Sequence, residues 1–205
     1  MSLYAVYSFT IKRVTLLSGF QFFGMQPSEA DPSSRIQQAL AAVRALVIPV
    51  DGVLNGGRMT IDGSGREICS ISLRDATALK EALKQGLIVA VVSERDAEAY
   101  RPLLEQLGVT SLYLNAESVF DAYVAFRDSA GLDDDSCAYI GDDLGDISVL
   151  EQVGFPVTPI DGTDYLRHRV AYISAYEGGK GCVREIVEMI LMQQGKWSYM
   201  DHREA

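Results

Sequence analysis

Short apolar runs, each followed by a segment with helical spacing, constrain this chain most. ALVIPV (45–50), LIVAVVS (87–93), SLYL (111–114) and SCAYIG (136–141) carry almost no polar alternation. Such runs suit strands buried on both faces. Residues 75–86, 96–107 and 117–129 have the apolar spacing of amphipathic helices, and Gly86 and Gly108 close the first two. Glycine just past the last periodic residue is a helix stop signal. RIQQALAAVR precedes the first strand as a further helix, and 144–152 follows the fourth strand as another. FPVTP (155–159) and VAYIS (170–174) read as edge strands, and GCVREIVEMILMQQG (181–195) as a closing helix. This alternation predicts βαβ units in one three-layer α/β domain with a mostly parallel sheet. RMTID (58–62) and REICSISL (66–73) flank Gly63-Ser64-Gly65 and predict a protruding β-hairpin. Met59, Ile61, Ile68 and Ile71 alternate along it with polar residues, so one face is free to close against another subunit.

Charge and cysteine usage exclude several function classes. Against 18 Lys and Arg stand 28 Asp and Glu, a net charge of −10. That balance disfavours nucleic acid and anionic membrane surfaces as partners. Cys69, Cys137 and Cys182 are far apart and show no CxxC spacing, which argues against a disulfide framework or a zinc site and for a reducing, cytoplasmic setting. Residues 1–24 are aromatic and apolar, with Lys12 and Arg13 as their charges. Val14 to Met25 is too short for a bilayer span of about 20 residues. The segment resembles a signal peptide core only loosely; an added strand, or a natural start at Met25, are the plainer readings. We therefore divide the chain into an extension and linker (1–34), one domain (35–197) and a polar tail (198–205), with Trp197 as a docking anchor.

Open parallel sheets bind ligands beyond the carboxyl ends of their strands. The residues there are Asp51 and Gly52 after the first strand, Ser93-Glu94-Arg95 after the second, and Asn115 and Glu117 after the third. After the fourth comes GDDLGD, with Asp142, Asp143 and Asp146. Three carboxylates this close repel one another unless a cation or a helix N-terminus stabilises them. Hard oxygen donors at a strand end suit Mg²⁺. The alternative is that these aspartates simply cap the following helix.

VDGVLNGGRMTIDGSGREICSISLRDA, VVSER, AYIGDDLGDISVL and GGKGCVRE occur in this order. Together they resemble the haloacid dehalogenase superfamily, and within it the capless 3-deoxy-D-manno-octulosonate 8-phosphate phosphatase family. The C-terminal domain of sialic acid cytidylyltransferases is similar to the same pattern. The resemblance spans roughly residues 40–197 and implies a Rossmann-like fold without a cap domain. It also implies Mg²⁺-dependent hydrolysis of a 2-keto-3-deoxy sugar acid phosphate. Each motif then has a role. The first aspartate of Asp-x-Asp-Gly-Val is the nucleophile and a metal ligand, and the second is the general acid–base that offers its carbonyl to the metal. Asp51 stands at the second position and Pro49 at the first. Ser93 matches the hydroxyl that binds the phosphoryl oxygens, with Glu94 where phosphatases carry a small glycine. Val119 stands at the position of the charge-neutralising lysine. Asp142 matches the metal ligand and Asp143 the outer carboxylate. Arg74 and Asp75 match the Arg-Asp pair after the hairpin. Gly178-Gly179-Lys180-Gly181 would cradle an anion at a helix N-terminus, with Lys180 adding a cation. Gly52, Ser93, Glu94, Arg74 and Lys180 are thus the candidate phosphate and substrate contacts.

Two chemical parts are therefore absent. Proline has no carboxylate to attack phosphorus or bind metal. Losing a covalent nucleophile lowers rates by on the order of 10⁴–10⁶, and losing the neutralising cation by about 10²–10³. The expectation is a catalytically degenerate relative that binds Mg²⁺ weakly and acts as a binding or assembly subunit. The resemblance implies a homotetramer built through hairpins; an active phosphatase or cytidylyltransferase paralogue is a further candidate partner, and a sugar-acid phosphate a candidate ligand. The alternative is an active enzyme in which Asp51 attacks directly or activates a water.

Overall fold

The computed structural model describes residues 32–200. The expectations for residues 1–31 and for the end of the tail lie outside this range. Among the described residues the elements run α1 (Pro32–Ala42), β1 (Ala45–Pro49), α2 (Leu73–Lys84), β2 (Ile88–Val92), α3 (Arg101–Leu107), β3 (Ser111–Tyr113), α4 (Val119–Ala130), β4 (Cys137–Ile140), α5 (Ile147–Leu150), β5 (Phe155–Thr158), β6 (Tyr172–Ile173) and α6 (Cys182–Gln193). The strands form one sheet in the order β3-β2-β1-β4-β5-β6, and every pairing is parallel.

Strand alternation divides β1 between two cores. Leu46 and Ile48 face one layer with Val89, Val91, Leu79, Ile186 and Ile190. Ala45 and Val47 face the other with Val92, Tyr123, Phe126 and Tyr139. Helices α1, α2, α3 and α6 thus cover the first face, and α4 and α5 the second. Every β1 side chain is buried, which is why the run shows no polar alternation. Each fully buried residue such as Leu46 or Ile48 contributes about 2 kcal/mol of transfer free energy. Ser72 caps α2 by accepting from the amides of Arg74 and Asp75, and Ser118 caps α4 by accepting from that of Asp121. Trp197 is nearly buried and packs under the Arg184 guanidinium, 5.6 Å from its ring centre, so it anchors the C-terminal segment.

Four sequence expectations change. The 155–159 run is an inner strand, because β6 pairs along its outer side. The hairpin has one bridge, Ile61 with Glu67, rather than two paired strands. Its tip is held locally: the Asp62 carboxylate accepts from Ser64 and Arg66 amides, while Met59, Ile61 and Ile68 stay half-exposed. The 96–107 helix starts at Arg101, after a short turn in which Asp96 accepts from the Glu98 amide. The 144–152 segment opens as a 3-10 turn over Leu144–Asp146 and is α-helical only over Ile147–Leu150; beyond it the Gly154 amide donates to the Asp134 carbonyl at 2.8 Å.

The strand order also locates the crevice. From β1 the chain builds outward through β2 to β3, then returns to place β4 on the other side of β1. Ligands bind at such a switch point, beyond the carboxyl ends of the two central strands. Pro49 ends β1 and Gly141-Asp142 follow β4.

Candidate active site

Pro49 is tolerated in a central strand because it is the last residue of β1. The pairing with β4 has already ended at Val47, so no amide is needed on that side. The chain then turns tightly through Val50–Leu54. Gly52 sits at φ 71°, and the Asp142 carboxylate lies where its Cβ would be. A side chain at 52 would therefore collide with that carboxylate as well as strain the backbone. Asn55 organises the turn. Its Oδ1 accepts from the amides of Gly52 (3.1 Å) and Gly57 (2.9 Å), and its Nδ2 donates to Asp51 Oδ1 at 2.7 Å.

Asp51 meets more than Asn55. Arg95 Nε lies 2.9 and 2.8 Å from its two oxygens, and Ser93 Oγ lies 3.4 Å from Oδ2. The remaining two nitrogens of Arg95 donate to Glu67 at 2.8 and 2.9 Å. The guanidinium is thus stretched between two carboxylates, which raise its pKa further. Ser93 is buried, and its hydroxyl also lies 3.0 Å from the Arg95 carbonyl.

On the β4 side, Asp146 shapes the acidic loop. Its Oδ2 accepts from the amides of Asp142 (2.8 Å) and Asp143 (3.1 Å), and its Oδ1 from the Tyr139 hydroxyl. Asp143 caps the following turn through the Leu144 amide. Helix capping is therefore the role of two of the three aspartates. Asp142 is left facing Gly52, pushed up to about 7 by burial first, then by Asp146, Asp143 and Asp161.

An acid whose folded pKa lies above its unfolded value stabilises the fold fully below about pH 4 and loses that contribution as the pH rises through about 7. Wild type is expected to lose up to about 3 kcal/mol more than Asp142→Asn across this window. Urea unfolding of both proteins in chelator between pH 4 and 8 checks this; parallel stability curves would refute it.

The other sequence candidates are not all gathered here. Glu94 turns to α4, where its Oε1 accepts from the Val119 amide at 3.0 Å. Val119 points into the apolar layer beneath α4 and is 7% exposed. The glycine loop 178–181 packs on the turn after β1: the Gly179 amide donates to the Val53 carbonyl at 2.7 Å. The expected anion cradle at the start of α6 is already filled from within. Asp75 accepts there from the amides of Gly181 (3.2 Å) and Arg184 (2.8 Å). Lys180 pairs with Glu177 at the surface. Arg74 lines a separate cleft with Tyr176, Arg184 and Glu188. Glu185 accepts from Tyr172, Ser174 and the Ala175 amide.

Sequence reasoning missed Glu67, Asn55 and Asp161 as site residues, and left Arg95 without a role. Asp161 follows β5 and accepts from the Gly178 amide at 2.9 Å, so a strand-end search extended by one strand finds it. Glu67 carries no local signal.

The donor set lacks the carboxylate that the resemblance places at position 49. Both Asp51 oxygens face Arg95. Among the described residues no group of three or more His, Cys, Asp or Glu side chains converges to hold a metal ion. Nor is any helix among them long and apolar enough to cross a membrane.

No family profile matches the chain. Individual relatives do. The 3-deoxy-D-manno-octulosonate 8-phosphate phosphatase of Escherichia coli B is 31% identical over 170 residues, 83% of this chain and 88% of the relative. The crystal structure of the Yersinia pestis phosphatase of that name superposes with a TM-score of 0.76 at 31% identity, covering 79% of this chain and 88% of that one. The Moraxella catarrhalis phosphatase, solved with magnesium, phosphate and the sugar acid, superposes with a TM-score of 0.75 at 28% identity, covering 78% and 92%.

Proposed function

Because the chain belongs to the 3-deoxy-D-manno-octulosonate 8-phosphate phosphatase family of the haloacid dehalogenase superfamily, we propose that it is a catalytically degenerate member acting as a binding or assembly subunit. One observation carries this reading. The strand end that presents the family's nucleophile presents Pro49 instead, and the neighbouring Asp51 is held by Arg95, Asn55 and Ser93. With its oxygens taken up by three side chains, Asp51 is not free to attack phosphorus or to hold a water. With the lysine position filled by buried Val119, the family's charge-neutralising lysine is missing as well. Mg²⁺ is expected to bind weakly, since Asp142 is the carboxylate left facing the crevice.

The test is Mg²⁺-dependent phosphate release from 3-deoxy-D-manno-octulosonate 8-phosphate by the full chain. The expected result is no turnover above that of Asp51→Ala. Clear turnover that disappears in Asp51→Ala would overturn the reading and favour a variant mechanism through Asp51.

Assembly into a homotetramer is the second part of the proposal. Met59, Ile61 and Ile68 are 57%, 50% and 51% exposed on one protruding loop, and burying them on a partner would release that apolar surface from water. Light scattering is expected to give a tetramer that Ile61→Glu with Ile68→Glu dissociates. A monomer in the unsubstituted protein would remove this part. A cytoplasmic setting, expected from three scattered cysteines without CxxC spacing, belongs to the same proposal.

A further inference from the structure

We propose that Arg95 is a built-in cation that latches the hairpin to the site turn and makes this site independent of divalent metal. Its guanidinium joins Asp51, on the turn after β1, to Glu67, on the second limb of the hairpin. The two acids lie 44 and 28 residues from it in sequence. Its Nη1 also donates to the Asp96 carbonyl, so all three nitrogens have partners.

Two carboxylates drawn to one place repel unless a positive charge stands between them. Arginine suits that position, because its planar fork addresses two acids at once and cannot be deprotonated. A lysine ammonium, as a point charge, could not span both in this geometry. The pair to Glu67 is well shielded from solvent, with Arg95 26% and Glu67 11% exposed, so salt screens it little.

The hairpin needs such a tie. It has a single bridge, Ile61 with Glu67, and its apolar residues near the tip are half-exposed. Glu67 lies opposite Ile61 at that bridge, which the Asp62 and Ile68 amides close onto the Arg66 and Thr60 carbonyls, and it also makes the ion pair to Arg95. The latch fixes the angle at which Met59, Ile61 and Ile68 are presented to solvent.

This goes beyond the functional reading above. The latch is read by stability and exchange, degeneracy by turnover, so either can fail alone. The test uses the full chain and two measurements: melting temperature in chelator and in millimolar Mg²⁺, and hydrogen exchange of the Asp62 and Ile68 amides, which bond across the hairpin to the Arg66 and Thr60 carbonyls. Wild type is expected to melt at the same temperature in both buffers. Arg95→Gln is expected to speed hairpin exchange at least about 10-fold, with Val91 in the core still protected, and to gain a melting temperature that rises with Mg²⁺. Glu67→Gln removes only the hairpin arm. It is expected to speed hairpin exchange similarly and to keep the melting temperature indifferent to Mg²⁺. Unchanged hairpin exchange in both variants, or a Mg²⁺ shift in wild type as large as in Arg95→Gln, would overturn the latch.

Discussion

Replacing Pro49 by aspartate is expected to raise phosphate release from 3-deoxy-D-manno-octulosonate 8-phosphate at least about 10²-fold over the unsubstituted chain. Position 49 closes β1 at the switch point of the sheet, beside the turn that holds Asp51 and across from Asp142. A carboxylate introduced there could attack phosphorus and pass the phosphoryl group to water in a second step. The gain stays partial, because Arg95 still holds Asp51 and Val119 still stands where the family has its lysine. Adding Val119→Lys is expected to bring a further rise of about 10²-fold, diminished by the apolar layer into which that side chain points. The substitution also adds a buried acid near Asp142, so stability in chelator should fall and Mg²⁺ should restore it. Phosphate release, measured with Asp51→Ala in the Pro49→Asp background as the control, checks the first claim. No gain in either variant would mean that the crevice no longer admits the substrate.

Gly178→Ala is expected to be the most damaging single methyl addition near the site. A Cβ at Gly178 would sit 1.7 Å from the Gly52 carbonyl oxygen, a backbone atom that cannot swing aside. The amides of Gly178 and Gly179 bind Asp161 and the Val53 carbonyl, so the glycine loop cannot back away without losing those bonds. Overpacking of this kind costs about 3 kcal/mol, which for a chain of this length lowers the melting temperature by about 6–12 °C. Gly145→Ala is the matched control. Nothing lies within 4 Å of its Cβ, so its melting temperature should barely move. Equal melting temperatures for both variants would show that the two loops are not in contact in solution.

Much of the fold was legible because burial on both faces leaves a mark on sequence. The β1, β2 and β4 runs are apolar throughout since each residue meets a helix layer on one side or the other. Helix stops at Gly86 and Gly108 were equally plain, both at positive φ. The hairpin was legible as a turn and not as a ladder. Alternation at 59–61 and 68–71 says which residues share a face, but not whether a second surface is present to hold that face in register. The β5 strand was misplaced to an edge, since pairing with the two-residue β6 leaves little pattern.

Sequence by itself determined the strand ends and their chemistry: Pro49, Asp51, Ser93 and Asp142 follow apolar runs, and the side chain each position carries needs no fold to be read. Only the tertiary structure decided which of those groups are free. Asp75 fills the α6 N-terminus from a helix 106 residues away, and Arg95 draws Asp51 and Glu67 together across 44 and 28 residues. Chain spacing sets which residue types can lie at a site. Hydrogen bonding and charge pairing depend on distances of about 3 Å, and those are fixed when the sheet brings its strand ends side by side.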